Sequence, residues 1–249
     1  ELVAETFSML ACSRYGLSET EILDLLRREG EEQFPRALWV RLARSARAYL
    51  VQRGELIGFF HDYLRKAVCD KDTPDEKQQR AVHMRLALYF ETHDVGRRRV
   101  DELPWQLAKA EAWQRLYDLF SNLPFFDAAW EANEFEVREY WAQVEGNSTL
   151  RLADAYRSVV EKPARYDVLH LQHLAFLLHE MGHVEEALSL RTHMVNHYRQ
   201  GGNRGGLAGA LNDLALILKD KGELDQEMLL LKESEGICRD IGEREKLAV

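Results

Sequence analysis

Apolar positions near the end of the chain follow the period of an α-helix. In "LHLQHLAFLLHEMGHVEEALSL" (169–190) they recur at helical spacing, at Leu171, Leu174, Ala175 and Leu178. Gly182 then interrupts the stripe, and apolar positions resume in 184–190. Because a residue without Cβ can adopt positive φ, the pattern predicts a helix, a tight turn at Gly182 and a second helix.

The same pattern recurs forty residues later. "GALNDLALILKDKGELDQEMLL" (209–230) places Leu214-Ala215 on Leu174-Ala175 and Gly222 on Gly182. The correspondence continues past the second helix, where Gly242 matches Gly202. Since self-similarity at a fixed period indicates stacked units, the chain is predicted to hold two helical repeats and to stop as a third begins.

These repeats resemble the tetratricopeptide (TPR) repeat in its form of about forty residues, with Leu-x-x-Leu-Ala in the first helix and Gly at the turn. The second repeat departs from the motif at Glu227, where a small residue is expected. The resemblance implies an α-helical TPR-like superhelix over 163–249 and a protein or peptide ligand on its concave face. That face comes from the first helix of each repeat, and the implied contact residues are Gln172, His173, Phe176, His179, Asn212, Asp213, Leu216 and Lys219.

Residues 179–183 read "HEMGH", the HExxH pattern of a zinc peptidase. Such a site needs both histidines on one helical face and a further ligand downstream. Gly182 is the predicted turn, which would interrupt such a helix. The matching positions of the next repeat read "KDKGE", which keeps the glycine and has no histidine. The peptidase is therefore an unfavoured alternative, and no metal site is predicted.

The first hundred residues have a different organisation. "GLSETEILDLL" (16–26) begins with a capping box, in which Ser18 is the N-cap and Glu21 the third helical residue. A longer helix is predicted over 36–53, followed by the short β-prone segment "ELIGFF" (55–60) and another helix from His61. Two helices, a short β-prone segment and a helix are compatible with a winged-helix domain, predicted over 1–98.

A second resemblance rests on "SRYGLSETEILDLL" (13–26), "LIGFFHDYLRKAV" (56–68), "HMRLALYFE" (83–91) and "RRRVDELPWQLAKAEAWQRLYDLFSN" (97–122). These segments look like the stretch that follows the ATPase module in nephrocystin-like STAND proteins, which are signal-transduction ATPases with a NACHT-type or related module. In that family a winged helix follows the ATPase module, and superhelical repeats lie at the C-terminus. The resemblance covers most of the chain, although no Walker A or Walker B motif is present in it.

The STAND resemblance implies an ATPase module upstream and ATP or ADP as the cofactor of the whole protein, with none bound by this region. It also implies that His61 senses the phosphate of ADP, since an imidazole N–H can donate a hydrogen bond to phosphate. The other interpretation of His61 is a helix-terminal residue satisfied by local backbone. Oligomerisation of the whole protein stays open.

A DNA-binding regulator is the other alternative. Arg41, Arg44 and Arg47 recur every three residues in the predicted helix 36–53, and a basic helix of a winged-helix fold can enter the major groove. Trp39 and Tyr49 of the same helix are predicted to face the core. The arginines are then more simply a solvated or interdomain surface.

Composition narrows the function classes. The net charge of −9 disfavours sequence-independent binding of nucleic acid by the whole chain. The three cysteines lie far apart and in no CxxC spacing, which favours a reducing, cytoplasmic setting. No apolar run is long enough to span a bilayer. The chain also opens in a helical pattern without Met, which predicts that it was cut from a longer protein.

The sequence thus predicts a mainly α fold in three parts, a winged-helix domain (1–98), a helical linker of degenerate helical pairs (99–162) and TPR repeats (163–249). No set of nucleophile, base or metal ligands emerges, so the region is predicted not to be an enzyme. The favoured function is the regulatory and sensor region of a STAND ATPase.

Overall fold

The computed structural model describes residues 2–27 and 33–242. Within them lie thirteen α-helices and one small antiparallel sheet. The chain divides into two compact units, Glu1–Leu119 and Phe120–Val249. Both predicted internal boundaries, 98/99 and 162/163, lie inside these units, and the three-part division stays a prediction. Across the described ranges, no helix combines the length and apolarity needed to cross a membrane.

Unit 1 holds six helices, three strands and most of a seventh helix. In chain order they are α1 (Leu2–Cys12), β1 (Leu17–Ser18), α2 (Glu19–Leu26), α3 (Arg36–Ser45), β2 (Leu50–Arg53), β3 (Leu56–Phe59), α4 (Asp62–Asp72), α5 (Glu76–Glu91), α6 (Arg97–Lys109) and α7 (Trp113–Ser121). The sheet order is β1-β3-β2, with β3 antiparallel to both neighbours. Helix α1 packs against α4 and α5, and α5 packs against α6.

The predicted start of α2 is confirmed in detail. The Ser18 hydroxyl accepts the backbone N–H of Glu21 at 3.1 Å, and the Glu21 carboxylate accepts the backbone N–H of Ser18 at 2.7 Å. This reciprocal capping box satisfies two N–H groups that the first turn leaves without helical partners. Glu21 also accepts a hydrogen bond from Nε of Arg98 at 2.8 Å, which ties the start of α2 to α6.

The helix predicted over 36–53 is wrong beyond Ser45. Ala46 leaves helical geometry at φ −92° and ψ 3°, and residues 50–53 form β2. This strand pairs with β3 around Gly54, whose φ is +62°. The hairpin provides partners for the backbone groups of both strands and thereby overrides the helical spacing of the apolar residues.

Unit 2 is built from helices. They are α8 (Leu123–Asn147), α9 (Leu152–Glu161), α10 (Val168–Glu180), α11 (Val184–Gly201), α12 (Arg204–Asp220) and α13 (Leu224–Ile241), with a 3₁₀ turn at Pro163–Arg165. Helix α8 breaks at Asn133, which has φ −166° and ψ 98°. The Asn133 side chain accepts the backbone N–H of Phe135 at 3.1 Å, so it acts as the N-cap of the second half of α8.

The predicted repeat of forty residues is confirmed for α10–α13. Helices α10 and α11 form one hairpin, and α12 and α13 form the next. Gly182 and Gly222 adopt φ of +86° and +76° at the two inner turns. Gly202 and Gly242 adopt φ of +68° and +74° after the second helices. The glycines therefore serve the same backbone requirement in each unit.

The two hairpins meet through α11 and α12. Arg191, whose side chain is only 5% exposed, donates from Nη1 to the Asp213 carboxylate at 2.6 Å. Burial lowers the pKa of Arg191, and the charge of Asp213 opposes that shift. A buried guanidinium needs such a partner, since an unpaired charge there would cost several kcal/mol. The pair thus fixes where α12 lies against α11.

A buried polar cluster ties α6 to the end of α1. Glu102 is fully buried and accepts the backbone N–H groups of Arg14 and Tyr15 at 3.2 and 3.3 Å. Gln106 donates from Nε2 to Glu102 at 2.8 Å and accepts from Nδ1 of His83 at 2.7 Å. Burial raises the pKa of Glu102 and lowers the pKa of His83. His83 is therefore held neutral inside unit 1.

We predict that His83 makes the stability of unit 1 depend on pH. Its folded pKa lies below the ordinary value, so the unfolded chain binds more protons and the free energy of unfolding falls as pH falls through about 6.5. His83→Gln keeps a donor for Gln106 but cannot titrate. Urea unfolding at pH 7.5 and 5.5 measures how far the free energy of unfolding falls between the two pH values. This fall should be smaller for His83→Gln than for the wild type. His61→Gln, which replaces an exposed histidine, is the control and should lose as much unfolding free energy as the wild type. An equal loss in His83→Gln would show that His83 does not cause the pH dependence.

We also predict that two glycines with positive φ differ in their tolerance of alanine. A Cβ on Gly16, at φ +99°, would lie 2.4 Å from the Ile57 carbonyl oxygen, whereas one on Gly54 would meet nothing within 4 Å. Gly54→Ala should cost about 1–2 kcal/mol for backbone strain alone. Gly16→Ala should cost about 1–3 kcal/mol more, because β3 must move. Equal free energies of unfolding for the two variants would show that β1 does not pack on β3 this closely.

Candidate functional site

The HEMGH segment spans a turn between two helices. His179 lies in the last turn of α10, and His183 is the N-cap of α11. Nε2 of His179 lies 2.9 Å from the Asp220 carboxylate at the end of α12. HExxH ligation requires both histidines on one helix, and His179 and His183 lie on two different helices. Within 2–27 and 33–242, no three His, Cys, Asp or Glu side chains are placed to hold a metal ion.

The implied ligand-binding residues lie on two equivalent helices. We define the α10–α12 face by the eight residues Gln172, His173, Phe176, His179, Asn212, Asp213, Leu216 and Lys219. The exposed members are Gln172, Phe176, Leu216 and Lys219. The other four are half-buried.

Two exposed apolar side chains occupy the same column of the two repeats. Phe176 on α10 is 40% exposed and Leu216 on α12 is 51% exposed, forty residues apart. Their neighbours Ala175 and Ala215 are buried, as the repeat pattern requires. Phe176 and Leu216 thus expose apolar surface in both hairpins, in the position that a ligand-facing column would occupy.

Most ionisable residues of the α10–α12 face already have partners in unit 2. Asp213 accepts from Arg191, and His179 pairs with Asp220. His173 donates from Nδ1 to the Asp127 carboxylate at 3.0 Å, and His170 contacts the same carboxylate. These ionisable groups therefore fix the helices, and the exposed side chains Gln172, Phe176, Leu216 and Lys219 remain to contact a ligand.

Asp127 and the buried Trp130 support this face from α8 and were not among the predicted site residues. Both lie on the first half of α8, which packs against α10. The Trp130 ring stacks on His173 at 6.1 Å between centroids and meets Phe176 edge-on at 5.8 Å. The sequence placed Trp130 in a helix but could not show that α8 would meet α10, because the contacting residues are more than forty positions apart.

His61 is the N-cap of α4, and its side chain makes no capping hydrogen bond. The residue is exposed, and its ring meets Phe60 edge-on at 4.4 Å between centroids. The local interpretation, a histidine satisfied by nearby backbone, does not describe this geometry. The nucleotide-sensing role stays a prediction.

The arginines proposed for DNA binding do not form one helical stripe. Arg41 and Arg44 are exposed on α3, but Arg47 follows the end of that helix. Trp39 is buried as predicted, whereas Tyr49 is 51% exposed instead of facing the core. The DNA-binding alternative keeps an exposed basic surface, but its single recognition helix is shorter than the sequence suggested.

The comparisons with known proteins give one informative match. No family model matches the chain. The chain is similar to a TPR repeat-containing protein from Dictyostelium discoideum, with 30% identity over 146 residues. The match covers 58% of this chain and 9% of that protein. No solved structure matches.

The α10–α13 hairpins are TPR-like helical repeats, since the forty-residue period, the turn glycines and the similarity to a TPR repeat-containing protein agree. The 146 matched residues exceed the length of 163–249, so the similarity extends beyond the two predicted repeats. The chain spans only a small part of the matched protein. The activity and partners of a full-length protein that carries this region are therefore proposed below.

Proposed function

We propose that this region binds a protein or peptide through the α10–α12 face, with Phe176 and Leu216 as the apolar anchors. The observation that carries the proposal is the exposure of large apolar side chains at the same column of both repeats. Full burial of such a side chain contributes roughly 1.5–3 kcal/mol, and each anchor, about half-covered already, can add about half of that to association. An extended ligand that crosses both hairpins can therefore gain from two anchors.

The surroundings of the anchors define the ligand further. Gln172 carries an exposed amide that can bond the backbone of an extended peptide, and Lys219 offers an exposed ammonium. The buried Trp130 ring meets Phe176 edge-on and supports that anchor from below. A peptide with two apolar side chains and an acidic group near one end fits this chemistry best.

We predict that peptides selected against this chain by display lose affinity when the anchors are removed. Phe176→Ala and Leu216→Ala should each weaken binding by about three- to tenfold, because each removes the apolar burial of a half-exposed side chain, roughly 0.7–1.5 kcal/mol. Isothermal titration calorimetry with the selected peptide provides the measurement.

Leu224→Ala and Met228→Ala are matched controls. Both side chains are exposed apolar residues of unit 2, but they lie on α13, outside the α10–α12 face. Binding that survives the two anchor variants and fails in the α13 variants would move the ligand site to the second helices of the repeats.

A finer proposal assigns unit 1 to a winged helix that controls a nucleotide-binding module. The order α1-β1-α2-α3-β2-β3, with a hairpin as the wing, supports this assignment, as does the STAND resemblance. In this proposal the region is cytoplasmic and non-catalytic. An ATPase module of the whole protein binds ATP or ADP, and the repeats receive the trigger. The exposed His61, free of a capping bond, is the candidate contact to ADP.

The His61 assignment predicts a defect in nucleotide retention. In a full-length protein that carries this region, His61→Ala should raise the ADP dissociation rate by about tenfold, since a hydrogen bond to a charged group is worth roughly 1.5–3 kcal/mol. Stopped-flow release of a fluorescent ADP analogue measures this rate. His93→Ala alters another exposed histidine of unit 1 and should leave the rate unchanged. An unchanged rate in His61→Ala, with an unchanged melting temperature, would remove His61 from the nucleotide site.

A further inference from the structure

Helix α13 exposes an apolar stripe that the proposed function does not use. Leu224, Met228 and Leu231 recur at helical spacing, so they lie along one side of the helix. Their side chains are 61%, 53% and 37% exposed, and Leu229, at 67%, widens the stripe. These four residues define the α13 stripe. Large apolar side chains gathered on one exposed helix indicate an interaction surface.

The preceding hairpin shows how the same side of the repeat is covered. Forty residues earlier, the matching positions on α11 are Val184, Leu188 and Arg191. Helix α12 packs on α11, where Val184 and Leu188 are half-buried and Arg191 is buried. The α13 stripe is thus the side on which a repeat accepts a further helix. Within 2–27 and 33–242, no helix covers it.

The stripe differs from α11 at the position that binds the covering helix. On α11 the buried Arg191 donates to the Asp213 carboxylate of α12. The matching residue on α13 is Leu231, which offers no donor. A helix that repeated α12 would therefore place its carboxylate against apolar surface without a cation, which costs free energy. A helix that presents apolar side chains fits the α13 stripe better.

Charges of opposite sign flank the stripe. Asp225 precedes Met228 by three residues and Lys232 follows it by four, so both lie on the same side of α13 as Met228. Both are exposed, and neither has a hydrogen-bond or ion-pair partner in the part of the chain that the structure describes. The surface around the stripe therefore carries a free carboxylate towards its N-terminal end and a free ammonium towards its C-terminal end.

This order of charges is complementary to itself when two α13 helices run antiparallel. With a two-fold axis between Met228 and Leu229, Asp225 of one copy faces Lys232 of the other, and the symmetry forms this ion pair twice. The apolar side chains of the α13 stripe then lie between the two ion pairs. A parallel pair would place like charges opposite each other, which disfavours that arrangement.

We propose that the α13 stripe is the interface of a homodimer, in which α13 of two copies of this chain pack antiparallel. The α11–α12 contact shows that this side of a repeat packs on a helix, and the Asp225–Lys232 pattern favours a second copy as the source of that helix. An interface of one helix per copy is small, so a Kd of roughly 10–100 µM is expected. The proposal involves neither the α10–α12 face nor unit 1.

The test is sedimentation-velocity ultracentrifugation of the 249-residue chain at about 5–500 µM. A reversible equilibrium between monomer and dimer is expected. Met228→Asp buries a carboxylate twice at the centre of the stripe and should weaken the dimer by about 100-fold. Leu169→Asp is the matched control, because Leu169 is an exposed apolar residue on α10 outside the α10–α12 face, and it should dimerise as the wild type does.

A charge exchange tests the antiparallel arrangement. Asp225→Lys and Lys232→Asp should each weaken the dimer by about tenfold, since each replaces two ion pairs by two contacts between like charges. The double variant restores opposite charges and should return the Kd to within about threefold of the wild type. A helix weakened by one change would not be repaired by the other, so this recovery identifies the ion pairs.

Three results would overturn the proposal. The first is a chain that stays monomeric at about 500 µM, which would leave the α13 stripe to a different partner. The second is growth beyond a dimer with concentration, because open-ended assembly requires two different surfaces. The third is a charge-exchanged double variant that dimerises no better than the single variants.

Discussion

A pair of helices in this chain cannot bury its apolar stripe alone, and the structure of unit 2 depends on that constraint. Each hairpin must cover the next, so α11 packs on α12 and Arg191 is buried against Asp213. The same stacking leaves one column of α10 and α12 uncovered, where Phe176 and Leu216 lie. The candidate binding face is thus a consequence of how the repeats bury their other sides.

The period of the sequence predicted this arrangement because it is a local property. A helical face is recognisable from the spacing of Leu174-Ala175 and Leu214-Ala215, and a backbone turn from Gly182 and Gly222. Neither prediction needs information about distant contacts. The capping box at the start of α2 was predictable for the same reason, since its hydrogen bonds span only three residues.

Features that depend on pairing with another segment were predicted less well. The helix that was expected to continue to residue 53 ends at Ser45, because residues 50–53 gain strand partners in β3. Asp127 and Trp130 were not identified as site residues, because they meet His173 only after α8 packs on α10. The buried position of Glu102 likewise depends on backbone groups of Arg14 and Tyr15, nearly ninety residues earlier. The contacts of Asp127, Trp130 and Glu102 join residues far apart in the sequence, whereas the β2–β3 pairing is a short hairpin that competes with the helical spacing of its own residues.

The central claim is that a ligand of this region lies across the first helices of the two repeats. Amide hydrogen–deuterium exchange, with and without a display-selected peptide, tests it most directly. Slower exchange should concentrate in α10 and α12 around Phe176 and Leu216, with α13 unchanged. Protection confined to α13, or to unit 1, would contradict the claim.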